Sequence, residues 1–180
     1  MPDELLQNLR NTIRTVPDFP IEGIMFRDIT PVLSDPDLMS SIINRFVEDI
    51  EGRGWRPDAV VGPEARGFIF GPLLAARLDI SFIPIRKPGK LPYEAYSVEY
   101  ELEYGSNTLE MHVDALGEGQ NVVIIDDLLA TGGTVSACVE LCRRAGANPI
   151  GSLFVIELEG LGAHDLLAPL PVHALIKFPA

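Results

Sequence analysis

Apolar positions along the chain follow two rhythms. Leu5, Leu6, Leu9 and Ile13 recur at the spacing of one helix face, which predicts a helix over Asp3 to Val16 with Asp3 as N-cap. Asp35-Pro36 opens a second predicted helix through Asp49, with proline in its first turn and Gly52 past its end. Two more are expected over Phe68 to Leu78 and Val135 to Ala145, the latter closed by Gly146. Between these lie short, continuously apolar runs at Ala59 to Gly62, Phe82 to Ile85, Val122 to Ile125, Ile150 to Ile156 and Ala174 to Phe178. Runs of that kind suit strands buried on both faces. Their alternation with helices predicts a parallel, right-handed α/β sheet. The rhythm lapses twice. Pro17 to Pro31 reads as irregular and proline-punctuated, and Tyr93 to Tyr104 with Thr108 to Val113 as two exposed antiparallel strands joined near Gly105-Ser106. Rich in Tyr and Glu, that arm is a natural lid over a site.

Composition narrows the class. A chain of 180 residues, 47% hydrophobic, can bury a sound core as one domain. No apolar run approaches the roughly eighteen residues of a membrane span. The N-terminus, Met1-Pro2-Asp3-Glu4, is acidic and shows no basic region before an apolar stretch, so no signal peptide and a cytoplasmic residence are expected. The net charge of −12 argues against nucleic acid and anionic membrane as partners, since both need a basic footprint. Cys138 and Cys142, four apart on a predicted helix, read as core, and His112, His164 and His173 show no metal-ligand spacing.

The most informative stretch runs from Val122 to Thr134. A β-branched strand ends in two adjacent carboxylates, Asp126 and Asp127, and Ala130-Thr131-Gly132-Gly133-Thr134 then leads into a helix. Glycines allow a tight turn whose backbone N–H groups converge on an anion at the helix N-terminus. The Thr131 and Thr134 hydroxyls can donate to the same oxygens. Carboxylates cannot grip phosphate, but they accept hydrogen bonds from vicinal hydroxyls beside it, as on a ribose. Neither a Walker A loop nor a G-x-G-x-x-G fingerprint is present. Two further segments lie at predicted carboxyl ends of strands, where open α/β sheets bind ligands. Gly62-Pro63-Glu64-Ala65-Arg66-Gly67 is either a surface turn or a pyrophosphate loop. Arg86-Lys87-Pro88-Gly89-Lys90 concentrates three cations in a chain with only 14 Lys and Arg, which favours anion binding over a solvated turn. Phe26 beside Arg27 suits stacking on a flat base or a helix-packing contact equally. Glu103 in the arm is either solvated or, with the lid closed, part of the site.

Phe26-Arg27-Asp28-Ile29-Thr30-Pro31, Glu64-Ala65-Arg66-Gly67-Phe68, Arg86 to Pro92, Leu102-Glu103-Tyr104-Gly105 and Asp126 to Thr134 occur in one order. In that order and spacing the chain resembles, over nearly its full length, the adenine-using branch of the type I phosphoribosyltransferases. The resemblance implies a single domain over residues 1–180. Its core is a mainly parallel twisted sheet flanked by helices, residues 1–33 contribute to a base-binding hood, and residues 87–113 form a flexible antiparallel lid arm. It implies transfer of the 5-phosphoribosyl group from phosphoribosyl pyrophosphate to adenine, with Mg²⁺ carried on the substrate rather than by dedicated protein ligands, in a homodimer. Asp126, Asp127, Ala130, Thr131, Gly132, Gly133 and Thr134 would hold the ribose phosphate. Glu64 and Ala65, flanking a cis peptide, would meet pyrophosphate together with Arg66, Arg86, Lys87 and Lys90. Phe26 would stack on adenine, backbone groups at Met25 and Arg27 would read its edge, and Leu158 would close its other face. Glu103 would serve as the acid/base on the purine. Two alternatives stay open: transfer to another purine (xanthine, hypoxanthine or guanine), for which Lys177 is the late cation nearest to requirement, and a non-catalytic sensor of the sugar pyrophosphate.

Overall fold

A computed structural model describes residues 3–101 and 106–180. Helix α1 (Glu4–Thr12) is capped by Asp3, whose carboxylate accepts from the Leu5 and Leu6 N–H groups. The helix stops short of Val16. Ile13 is already extended, and β1 (Arg14–Pro17) pairs antiparallel with β2 (Met25–Asp28), setting Val16 against Phe26 and Arg14 against Asp28. The stretch expected to be irregular thus contains a hairpin strand and, after it, the short helix α2 (Thr30–Leu33). Thr15 and Val16 are β-branched and Pro17 cannot continue a helix, so pairing across the hairpin wins over the helical spacing.

Helix α3 (Pro36–Gly52) begins on its Asp35 cap, whose side chain accepts from the Leu38 N–H, and runs one turn beyond the expected end. Then come β3 (Ala59–Pro63), α4 (Gly67–Leu78) and β4 (Ser81–Ile85). The arm follows as β5 (Ala95–Glu101) and β6 (Ser106–His112), an antiparallel pair. The chain then returns to the sheet with β7 (Asn121–Leu129), α5 (Gly133–Arg144), β8 (Asn148–Glu159), α6 (Ala163–Leu167) and β9 (Val172–Pro179).

The main sheet has the order β4-β3-β7-β8-β9, and every pairing in it is parallel. Neighbouring β7 side chains serve opposite faces. Ile124 packs with α5 and the arm, Ile125 with α1, α3 and α4, and both are fully buried. Burial of a side chain of this size is worth roughly 1.5–3 kcal/mol. Strands β3 and β4 wind outward one way and β7, β8 and β9 the other, so the winding reverses between β3 and β7. At such a reversal the loops leaving the two strands diverge and open a crevice at the carboxyl edge.

Candidate active site

The loops flanking that crevice are Glu64 to Arg66, after β3, and Ala130 to Gly132, after β7. The second is shaped by Gly132, whose φ of +89° is left-handed and costly for any residue with a side chain. A Cβ there would also lie 3.4 Å from Ala163 and from Leu167 of α6. Gly132 caps α5 with no side-chain acceptor over the helix end, so first-turn N–H groups remain available. With no acid in that turn, the positive end of the helix dipole is unopposed. The loop, Asp126, Arg66 and the flanking Leu128, Leu129 and Val135 enclose a cavity of about 190 Å³. The apolar liners left no sequence signal beyond their place next to the loop. Thr131 is exposed on its rim and Thr134 half-buried.

The two carboxylates do not terminate the strand as expected; β7 continues to Leu129, so alternation sends Asp126 and Asp127 to opposite faces. Asp126 lines the cavity and accepts from the Asp127 N–H at 2.8 Å. Burial pushes its carboxyl well above the usual aspartate range, and the Asp127 charge pushes the same way. Burial raises Asp127 too, while the Arg66 charge opposes the rise. Arg66 Nη1 stands 3.1 Å from Asp127 Oδ2, an ion pair without hydrogen-bond alignment, so that buried oxygen makes no hydrogen bond.

Across the crevice, Glu64 and Ala65 are joined by a cis peptide bond. Gly67 lets the start of α4 press on β7: a Cβ there would lie 3.0 Å from the Ile125 carbonyl oxygen. The Arg86 guanidinium forms a close ion pair with Glu64. Burial by itself raises the Glu64 carboxyl, but Arg86 and the Lys87 N–H and charge outweigh that and hold it below its ordinary value. Lys87 and Lys90 are exposed on the following turn. Glu110 of β6, not singled out from the sequence, anchors this turn by exchanging backbone hydrogen bonds with Arg86 and accepting from the Gly89 N–H at 3.1 Å. A glutamate in an alternating strand carries no local sign of such a long-range tie.

The hood hairpin brings Phe26 beside this cluster, with the Arg66 guanidinium 5.9 Å from its ring centre and Phe19 edge-on at 5.1 Å. Met25 is about half exposed. The Arg27 side chain donates to Thr15 Oγ1 at 2.5 Å and lies over the Phe178 ring at 4.3 Å, so it is engaged by protein groups. Leu158 stands opposite Phe178 in the β8–β9 register and is half-buried. Lys177, one position earlier, points to the other sheet face and pairs with Glu157 at 3.2 Å. Glu103 lies outside the described residues. Strand β5, which ends before it at Glu101, is held against α5, where Arg144 donates to the Ser97 carbonyl at 2.8 Å, and Tyr100 Oη is 3.4 Å from Thr134 Oγ1.

Comparison with known proteins agrees with this geometry. The phosphoribosyl transferase domain model matches residues 33–162. An adenine phosphoribosyltransferase of Francisella tularensis subsp. novicida is 50% identical over 173 residues, 96% of this chain and 99% of the relative. The crystal structure of adenine phosphoribosyltransferase from Thermoanaerobacter pseudethanolicus superposes with a TM-score of 0.93 at 48% identity, covering 96% of this chain and 99% of that one. The Saccharomyces cerevisiae enzyme, complexed with an imino-altritol bisphosphate and adenine, superposes with a TM-score of 0.92 at 40% identity, covering 96% and 98%. With its sheet reversal, its glycine-shaped turn at the start of α5 and these likenesses over nearly all its length, the chain belongs to the adenine phosphoribosyltransferase family.

Proposed function

We propose that the chain transfers the 5-phosphoribosyl group of phosphoribosyl pyrophosphate to N9 of adenine, yielding AMP and pyrophosphate in purine salvage. One observation carries the site assignment. The 190 Å³ cavity at the sheet reversal joins a helix N-terminus, two hydroxyl-bearing turn residues and a carboxylate within reach of one arginine. In this reading the Ala130 to Thr134 turn holds the 5-phosphate and Asp126 and Asp127 accept from the ribose hydroxyls. Glu64, Ala65, Arg66, Arg86, Lys87 and Lys90 face the pyrophosphate. Residues 1–33 serve as hood, with adenine between Phe26 and Leu158 and its edge at the Met25 and Arg27 backbones. Residues 87–113 serve as lid within a single domain.

As the C1′–oxygen bond breaks, its electrons leave with pyrophosphate and positive charge builds on the ribose. Cations and N–H dipoles already in place stabilise the departing charge without reorganising. The purine N9 then bonds to C1′, and its proton passes to the Glu103 carboxylate. Closing the arm excludes water, which would otherwise hydrolyse the activated sugar. The donor set fits Mg²⁺ carried in on the substrate. Asp126, which lines the cavity, offers a carboxyl oxygen of the hard kind that such an ion takes. When bound, Mg²⁺ would supply charge neutralisation of the phosphate oxygens. Lys177 is engaged by Glu157 on the sheet face away from Phe178, which weighs against the oxopurine alternative. Cytoplasmic residence and a homodimer belong to the same reading; no helix among the described residues is long and apolar enough to cross a membrane.

Kinetics of Thr131→Val combined with Thr134→Val test the assignment. Loss of hydroxyl donors to a charged phosphate should raise the KM for phosphoribosyl pyrophosphate by about ten- to a hundredfold. An unchanged KM would remove the turn from phosphate binding.

A further inference from the structure

One buried carboxylate near the site has no place in this mechanism. Glu157 on β8 is only 5% exposed, and both of its oxygens are taken: His164 Nε2 of α6 at 2.8 Å and Lys177 Nζ of β9 at 3.2 Å. Its two partners are each about half exposed, so they roof the carboxylate from solvent. A buried carboxylate that loses a partner is costly, which makes such a tie firm where an exposed pair would be weak. Two placements link the tie to the phosphate turn. Glu157 stands opposite Leu129 in the β7–β8 register, and Leu129 is the residue from which the turn departs. Ala163, next to His164, and Leu167 form the floor on which Gly132 rests, 3.4 Å from where a Cβ would stand. Helix α6 has only five residues, too few to hold a position unaided.

We propose that Glu157, His164 and Lys177 act as a positioning cluster, clamping α6 beneath the phosphate turn so that the Thr131 to Thr134 donors are set before the sugar pyrophosphate arrives. This rests on the assignment of that turn to the ribose 5-phosphate. The clamp acts through α6 and touches no substrate. Its loss therefore selects against sugar-pyrophosphate binding and spares the base site on the opposite sheet face.

The test compares the full chain with His164→Ala, His164→Gln and Glu157→Gln, alongside the Thr131→Val and Thr134→Val double variant, with both substrates varied. His164→Ala should raise the KM for phosphoribosyl pyrophosphate about tenfold, with the adenine KM held within about twofold. His164→Gln, whose amide can still donate to Glu157, should restore most of the loss. Should Glu157→Gln fail to fold, the half-exposed His164 variants still decide the matter. An unchanged sugar-pyrophosphate KM in His164→Ala, with a raised one in the threonine variant, would overturn the clamp and leave the turn assignment standing. Unchanged values in both would overturn both. A parallel rise in both KM values without rescue by glutamine would reduce the cluster to general stability and also overturn the proposal.

Discussion

Asp126, the carboxylate proposed to meet the ribose, is costly to its own fold. Burial first, and the Asp127 charge second, hold its proton on more tightly in the folded chain than in the unfolded one, where the ordinary value is 3.8. The folded state therefore gains from this group below that value and loses the gain as pH rises through the raised one. Asp126→Asn should accordingly flatten the fall of Tm as pH rises above 3.8 and raise Tm at alkaline pH, by about 2–4 °C for each kcal/mol relieved. The same change should cut kcat/KM for phosphoribosyl pyrophosphate by about tenfold or more, since in the proposed site a ribose hydroxyl loses a carboxyl acceptor. Thermal melts across pH beside steady-state kinetics check both; a variant no more stable at alkaline pH would contradict the burial argument. Gly132→Ala makes the converse case. At φ +89° against Ala163 it should cost about 1–3 kcal/mol of stability and distort the turn, read by denaturant unfolding. The residue chemistry was legible because acids, glycines and threonines crowd one stretch of chain. Glu110, Glu157 and Tyr100 were not, because each acts on a partner far away in sequence, and an isolated Glu or Tyr in a strand looks the same whether it is solvated or engaged.

The same divide separates elements that declare themselves from those that do not. Strands β3, β4 and β7 each contain a continuous apolar run, and β3 is buried on both faces, so sequence and structure agree on them to within a few residues. The β1–β2 hairpin was hidden. Leu5, Leu6, Leu9 and Ile13 set a helical rhythm that Val16 happens to continue, while the force that extends Arg14 to Pro17 comes from Met25 to Asp28 across a turn. The carboxyl end of β7 was cut short for a related reason, since charged residues mark the end of an apolar run but not of the hydrogen-bonded strand that β8 extends to Leu129. The arm is held by few contacts that a sequence reveals. Arg144→Ala, which removes the α5 link to the Ser97 carbonyl, should speed amide exchange across residues 95–100 and raise the sugar-pyrophosphate KM by about two- to tenfold. Unaltered exchange there would show that the arm is held elsewhere.

For the whole molecule the two governing facts are topology and charge. Reversal of strand winding between β3 and β7 places the two loops proposed to meet substrate on either side of one crevice, and only the assembled sheet order shows it. A net charge of −12 would repel a polyanionic sugar, so the proposed recognition is local, through fixed N–H dipoles and the Arg66, Arg86, Lys87 and Lys90 cluster. The homodimer reading predicts a sedimentation mass twice the 19.7 kDa of the chain, and a mass of one chain at assay concentration would refute it. The central claim is tested most directly by supplying phosphoribosyl pyrophosphate and Mg²⁺ with adenine, hypoxanthine, guanine or xanthine in separate reactions and following nucleotide and pyrophosphate together. AMP and pyrophosphate formed in equal amounts from adenine alone is the predicted result. A nucleotide from one of the oxopurines in its place, or no product from any base despite binding of the sugar pyrophosphate, would contradict it.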